Sequence, residues 1–173
     1  KDMEIFSYII EGELQHKDSM GNGSIIKEGN VQRITAGKGI LHSEFNPSEK
    51  NRTRLLQIWI LPEKNGLAPS YQELNLRDLK IKNGLTLIAS DKEQQDTVKI
   101  HQDIQIYRGY LQAGETADYE FKKERGLWIQ MVKGRIEVNG LTIEHGDGVS
   151  VENEKAIHLK AFQEAEFLLF DLH

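Results

Sequence analysis

The strongest constraint on this chain is an alternation of short apolar runs with turn signals. In the second half the runs are Val98 to His101, Ile104 to Leu111, Ala117 to Phe121, Leu127 to Val132, Arg135 to Val138, Leu141 to Ile143, Gly148 to Val151, Ile157 to Phe162 and Phe167 to Leu172. Each has the length of a strand, and Gly-rich turns separate them. Val138-Asn-Gly-Leu141 is the sharpest signal, because Asn-Gly accepts the positive φ values of a type I′ hairpin turn. Runs this short and this evenly spaced predict an all-β barrel or sandwich rather than an α/β fold.

The first half follows the same grammar. Counting by twos from Lys1, Phe6, Tyr8, Ile10, Leu14 and His16 share one phase, which makes the even face the candidate barrel interior unless Gly12 is a bend that resets it. Asp18 to Gly23 is a dense turn, followed by strands at Ser24–Lys27 and Val31–Ile34 and by one carrying His42. Leu55 to Leu61 is apolar on both faces and reads as a strand buried on both sides. Tyr71 to Leu79 is compatible with a short helix or an extended connection, Leu85 to Ile88 reads as a strand, and Asp91 to Asp96 is a polar surface turn. Gly12 and Gly134 each follow an apolar strand ending in a charged residue, while Gly29-Asn30 and Gly146-Asp147 each open a strand, so the two halves hint at a duplicated barrel.

Composition narrows the function. The 173 residues are 38% hydrophobic and 28% charged, enough apolar material for a sizeable core. The net charge of −5 argues against a nucleic-acid partner, which needs a clustered basic face. Lys50 to Arg54 and Lys122 to Arg125 are short, mixed patches that read as solvated loops. The absence of cysteine removes disulfides, thiolate metal sites and cysteine nucleophiles, and is compatible with a reducing compartment. No apolar run approaches a membrane span and the start carries no secretory signal, so the expected location is the cytoplasm, away from membranes.

His42-Ser-Glu44 is the stretch with chemistry in it. Two residues apart on a strand, an imidazole and a carboxylate share one face and can offer two ligands to one metal ion. These donors suit iron, manganese, nickel, copper or zinc, so the pair alone selects no metal, and alone it is equally a structural histidine beside a solvated glutamate. Gly37 and Gly39 let the backbone turn tightly just before it. Of the remaining histidines, His16 reads as a hydrogen-bonded residue beside the Asp18-Ser19 turn, or as one approaching the cavity. His101-x-Asp103 has ligand spacing but no second pair after it, and His145, His158 and His173 are isolated. The second half is therefore expected to be metal-free.

Taken together, Asp2-Met-Glu-Ile5, Tyr8, Glu11-Gly12, His16-Lys-Asp-Ser-Met-Gly-Asn22, Val31-Gln32, Ala36-Gly-x-Gly39, His42-Ser-Glu-Phe-Asn46 and Gln57-Ile-Trp-Ile60 closely resemble the pirin family of bicupins, in particular its bacterial members described as quercetin 2,3-dioxygenases. Val98 to Asp103, Trp128 to Gln130, Val132 to Gly134 and Leu168 to Leu172 resemble the second cupin of the same proteins. The resemblance implies an all-β fold of two jelly-roll-like cupin barrels packed together. It places an N-terminal cupin at 1–72 whose start is incomplete, a connecting segment at 73–96 and a C-terminal cupin without a metal site at 97–173. It also implies one divalent metal held by three histidines and one glutamate, of which His42 and Glu44 match the last two. The His-x-His carrying the other two lies, in the family, directly ahead of the residues matching Lys1 to Glu4. On the even phase such histidines would point into the barrel with Phe6 and Tyr8. Either the chain is a fragment, as its start inside a strand favours, or the protein lacks those ligands and holds metal weakly or not at all.

The activity implied is opening of the central ring of flavonols such as quercetin by dioxygen, with loss of carbon monoxide. Iron is the foremost metal, with zinc, nickel, copper and manganese compatible. His42 orients the metal, and Glu44 is both ligand and base for the flavonol hydroxyl. The expected partners are a small aromatic or flavonol-like substrate and dioxygen, with the chain acting as a monomer. Two other readings stay open: a non-enzymatic pirin-like binding or regulatory protein, and an inactive remnant.

Overall fold

The computed structural model describes residues 1–76 and 84–173. Among them every regular element is a β-strand. The first ten are β1 Glu4–Glu11, β2 Glu13–Asp18, β3 Gly23–Lys27, β4 Val31–Thr35, β5 His42–Phe45, β6 Arg54–Ile60, β7 Ser70–Leu74, β8 Gly84–Ser90, β9 Val98–Lys99 and β10 Ile104–Leu111. Then follow β11 Thr116–Glu120, β12 Gly126–Lys133, β13 Arg135–Val138, β14 Leu141–Glu144, β15 Gly148–Val151, β16 Ala156–Ala161 and β17 Ala165–Leu172. No helix among the described residues is long and apolar enough to cross a membrane.

Two compact units divide the chain, one within residues 1–80 and 92–102, the other within 81–91 and 103–173. The expected boundaries shift accordingly. Strand β8 lies inside the stretch read as a connection, 73–96, yet pairs with β10 of the second unit, and residues 97–102 fall in the first. Where a helix or an extended segment was open at Tyr71–Leu79, β7 is a strand paired with β4, while residues 77–79 lie outside the described residues.

In the first unit a sheet of order β6-β1-β4-β7 accompanies one of order β3-β2-β5. The second unit repeats the plan: β17-β12-β15 corresponds to β6-β1-β4, and β16-β13-β14 to β5-β2-β3. There the sheets continue, with β10 and β8 beyond β17 and β11 beyond β16. Among the described residues β6 and β5 instead end their sheets. This explains why β6 is not buried on both sides as its apolar sequence predicts. An edge strand has a neighbour on one side only, and Trp59 is 63% exposed while Ile60 stays buried.

The turn glycines carry the duplication. Gly12 and Gly134 both have positive φ, +75° and +82°, and a Cβ on either would stand 2.3 Å from the Arg52 carbonyl oxygen or 2.2 Å from that of Glu164. Only glycine accepts both the dihedral and the approach. Gly12 also resets the side-chain parity, so the even face is the interior on β2 but not on β1. Leu14 packs with Ile9, Ile26 and Leu55, and Ser7 lies within reach of the Gln32 amide, so β1 turns its odd residues inward. Glu4, Phe6 and Tyr8 are buried on its other face. The parity of β1 therefore lends no support to upstream histidines entering the barrel beside Phe6 and Tyr8. Asn139-Gly140 forms the expected hairpin, with φ of 47° and 87° and Val138 paired to Leu141.

The second unit is filled with apolar side chains. Leu111, Leu127, Ile129, Met131, Ile136, Ile157, Leu159, Phe167 and Leu169 are among its buried core, each contributing roughly 1.5–3 kcal/mol relative to exposure. A polar network forms around Asp171, which accepts from the Tyr119 hydroxyl (2.6 Å) and from Arg125, whose Nη1 also donates to both Asp103 oxygens (2.9 Å to each).

Candidate functional site

The interior of the first unit begins apolar at the Gly12 end, with Ile9, Leu14, Ile26 and Leu55, and becomes polar beyond it. Strands β2 and β5 pair with His16 opposite Glu44 and Asp18 opposite His42. Because residues two apart share a face, all four side chains project from the same side of this ribbon.

Glu44 is held from the other sheet. Its Oε1 accepts from the Gln32 amide on β4, and its Oε2 from the Gln57 amide on β6 at 2.8 Å. Gln57 in turn accepts from the Trp59 indole at 3.1 Å. On the β7 side the Tyr71 hydroxyl lies 2.6 Å from Glu73 Oε1, 3.0 Å from Ser24 Oγ and 3.2 Å from Gln32 Oε1. Burial, joined by the bond to Glu73, pushes the Tyr71 phenol well above its ordinary range, so it stays a donor. These contacts fix the carboxylate of Glu44 without placing a cation beside it.

His16 is fully buried, stacked on Tyr71 with ring centroids 4.6 Å apart and on His42 at 5.8 Å. Its Nε2 bonds to Asp18 Oδ2 at 3.1 Å. Burial raises the Asp18 pKa, but bonds from the Asn22 side chain, His16 and the Asn22 and Met20 amides outweigh it and hold the carboxyl at about 2. His16 therefore meets both sequence descriptions, beside the Asp18 turn and inside the cavity.

His42 and Glu44 stand together as their spacing predicts. The imidazole is exposed and the carboxylate half-buried, and both are donor types that suit a borderline divalent metal. Among the described residues no group of three or more His, Cys, Asp or Glu side chains is arranged to hold an ion. His101 lies elsewhere: its ring Nδ1 and backbone N–H meet the buried Glu4 carboxylate at 2.7 and 2.6 Å. His145 bonds the Val132 carbonyl, His158 meets Asp118, and His173 lies 3.3 Å from the Asp103 carbonyl. Gly37 packs against the 67–68 backbone rather than beside the site, where a Cβ would stand 2.0 Å from the Leu67 carbonyl oxygen.

Composition gives no hint of Gln32, Gln57 or Tyr71, because amides and phenols are common on any strand. The signal lies in comparing registers. Aligning Gly12 with Gly134 sets His16 against Val138, and the pairings then set Glu44 against Leu159, His42 against Ile157, Ser7 against Ile129, Gln32 against Val149 and Gln57 against Leu169. At each of these six positions the first unit is polar where the second is apolar. The repeated fold is built in the second unit without these polar groups.

Residues 1–60 match the family model described as Pirin, and residues 87–172 the quercetinase C-terminal cupin domain. The quercetin 2,3-dioxygenase of Escherichia coli (strain K12) is 42% identical over 172 residues, 99% of this chain and 73% of that protein. A pirin-like protein of Caulobacter vibrioides is 34% identical over 171 residues, 98% of this chain and 73% of that one. Among solved structures, the E. coli bacterial pirin YhhW in complex with nickel(II) matches with a TM-score of 0.92 at 41% identity, over 99% of this chain and 73% of that one. With similarity running through both units, the chain belongs to the pirin family of bicupins.

Proposed function

We propose that the first unit carries the metal centre of a pirin-type dioxygenase, one that opens the central ring of flavonols such as quercetin with loss of carbon monoxide. The observation that carries this is the polar cluster of Ser7, His16, Gln32, His42, Glu44 and Gln57, set where the second unit has Ile129, Val138, Val149, Ile157, Leu159 and Leu169. Relatives that are quercetin 2,3-dioxygenases supply the substrate class. His42 and Glu44 would hold one divalent ion. The donor set fits, since imidazole and carboxylate suit a borderline metal such as iron, and a nickel(II)-bound relative is of the same kind. When bound, the ion supplies Lewis acidity and a template for dioxygen.

The chain's own part is to bind, orient and move a proton. Glu44 is the base that takes the flavonol hydroxyl proton, on a carboxylate kept in place by the Gln32 and Gln57 amides. His42 orients the metal. Trp59 and Gln57 sit on the same strand at the open side, where a flat ring system enters. The setting is the cytoplasm, in keeping with a chain free of cysteine. Aerobic quercetin consumption, with carbon monoxide measured beside it, tests the reading on the parent protein and on Glu44→Gln. The parent is expected to turn over and the variant to lose about a hundredfold or more; an unchanged rate in the variant removes Glu44 as the base.

A further inference from the structure

Trp59 does more in this geometry than line the open side. An indole standing in solvent adds little to packing, yet its Nε1 donates to Gln57 Oε1 at 3.1 Å. The fold does not call for a tryptophan there. With Gly12 set against Gly134, Ile5 falls on Leu127 and its partner Trp59 falls on Asp171, which the second unit uses to hold Tyr119 and Arg125. An indole N–H only donates. Gln57 must therefore present its carbonyl oxygen to Trp59, which leaves the amide nitrogen for Glu44 Oε2, 2.8 Å away. The three side chains form one line of donors, running from the indole through the amide to the carboxylate.

The two amides on Glu44 differ in what holds them. Gln32 is fully buried, its oxygen accepting from the Tyr71 hydroxyl at 3.2 Å and its nitrogen 3.5 Å from Ser7 Oγ. Gln57 is exposed, and the terminal torsion of a glutamine is soft, so its amide turns over unless one end is held. Turned over, it would set its oxygen against Glu44 Oε2, acceptor against acceptor. We propose that Trp59 is a positioning residue of the site: its N–H locks the Gln57 amide in the orientation that donates to Glu44 and so keeps Oε2 in place. The inference rests on Glu44 as a ligand in the proposed metal centre and adds the residue that steadies it from outside.

The test is a double-mutant cycle on nickel(II) affinity, measured by calorimetric titration of the purified protein and of Trp59→Phe, Gln57→Leu and the pair. Phenylalanine keeps an aromatic ring and removes the N–H, and leucine is what the second unit carries opposite Gln57, at Leu169. Trp59→Phe is expected to weaken nickel binding about three- to tenfold, the size of one hydrogen bond, and Gln57→Leu about tenfold or more. In the Gln57→Leu background Trp59→Phe should cost nothing further, because the indole acts through the amide. A tryptophan that served only packing or stacking would cost the same with or without Gln57. Nitrogen-15 spectra give a readout that needs no metal: the Gln57 side-chain amide should shift in Trp59→Phe, and the Trp59 indole N–H should exchange faster with solvent in Gln57→Leu than in the parent. Thermal melts identify any variant that fails to fold, and if Trp59→Phe does, the indole exchange in Gln57→Leu carries the test. A folded Trp59→Phe that binds nickel like the parent, a loss that persists in the Gln57→Leu background, or an indole whose exchange ignores Gln57 would each overturn the inference. A parent that takes up no nickel removes the metal centre, and the positioning contact then stands or falls with the spectra.

Discussion

Glu44 and His42 were legible from their spacing, because alternation on a strand is geometry that sequence carries directly. Gln32 and Gln57 were not, since nothing local distinguishes a glutamine that holds a half-buried carboxylate from one on a solvated face. Only the registers of β1 with β4 and β6 bring the two amides to one point. Asp18 shows how much a single anchoring residue concentrates. Its pKa, brought down to about 2 from an ordinary 3.8, means that the carboxylate contributes stability above about pH 4 that is lost as pH falls through 2. Acid unfolding followed by circular dichroism should therefore show a component between pH 4 and 2 in the parent that is missing in Asp18→Asn. An identical acid limb in the two proteins would mean that Asp18 is not held in this way.

At the level of elements most strands were readable, down to the Asn139-Gly140 hairpin, because turns announce themselves through glycine and asparagine, whereas the residues of β7 are compatible with a helix or an extended connection. What sequence could not give was where each strand stands in its sheet. Strand β6 looks like a central strand and is an edge, whereas β1, buried along most of its length on both faces, is the inner one. Parity failed for a specific reason, the left-handed Gly12 between β1 and β2. Gly12→Ala and Gly134→Ala are each expected to lower stability by about 1–3 kcal/mol, through the unfavourable φ and the collision with the facing carbonyl. Gly114→Ala, at φ +82° with nothing within 4 Å of a Cβ, should cost less. Chemical denaturation of the three variants checks the order.

The whole molecule holds one plan used twice with different fillings. The second unit spends its interior on Ile129, Val138, Ile157, Leu159 and Leu169. The first keeps the same backbone registers and lines them with Ser7, His16, His42, Glu44 and Gln57. The repeated grammar of glycines pointed to the duplication from sequence, but the exchange of polar for apolar residues became visible only once the pairings aligned the two units. Copying the second unit's residues into the first should therefore remove the site and spare the fold. The most direct measurement is elemental analysis together with nickel(II) titration of the parent and of the double variant His42→Ile, Glu44→Leu, with melting temperature recorded for both. One divalent ion per chain is expected in the parent and none in the variant, with a melting temperature that is unchanged or higher. A folded double variant that still carries its ion would contradict this expectation.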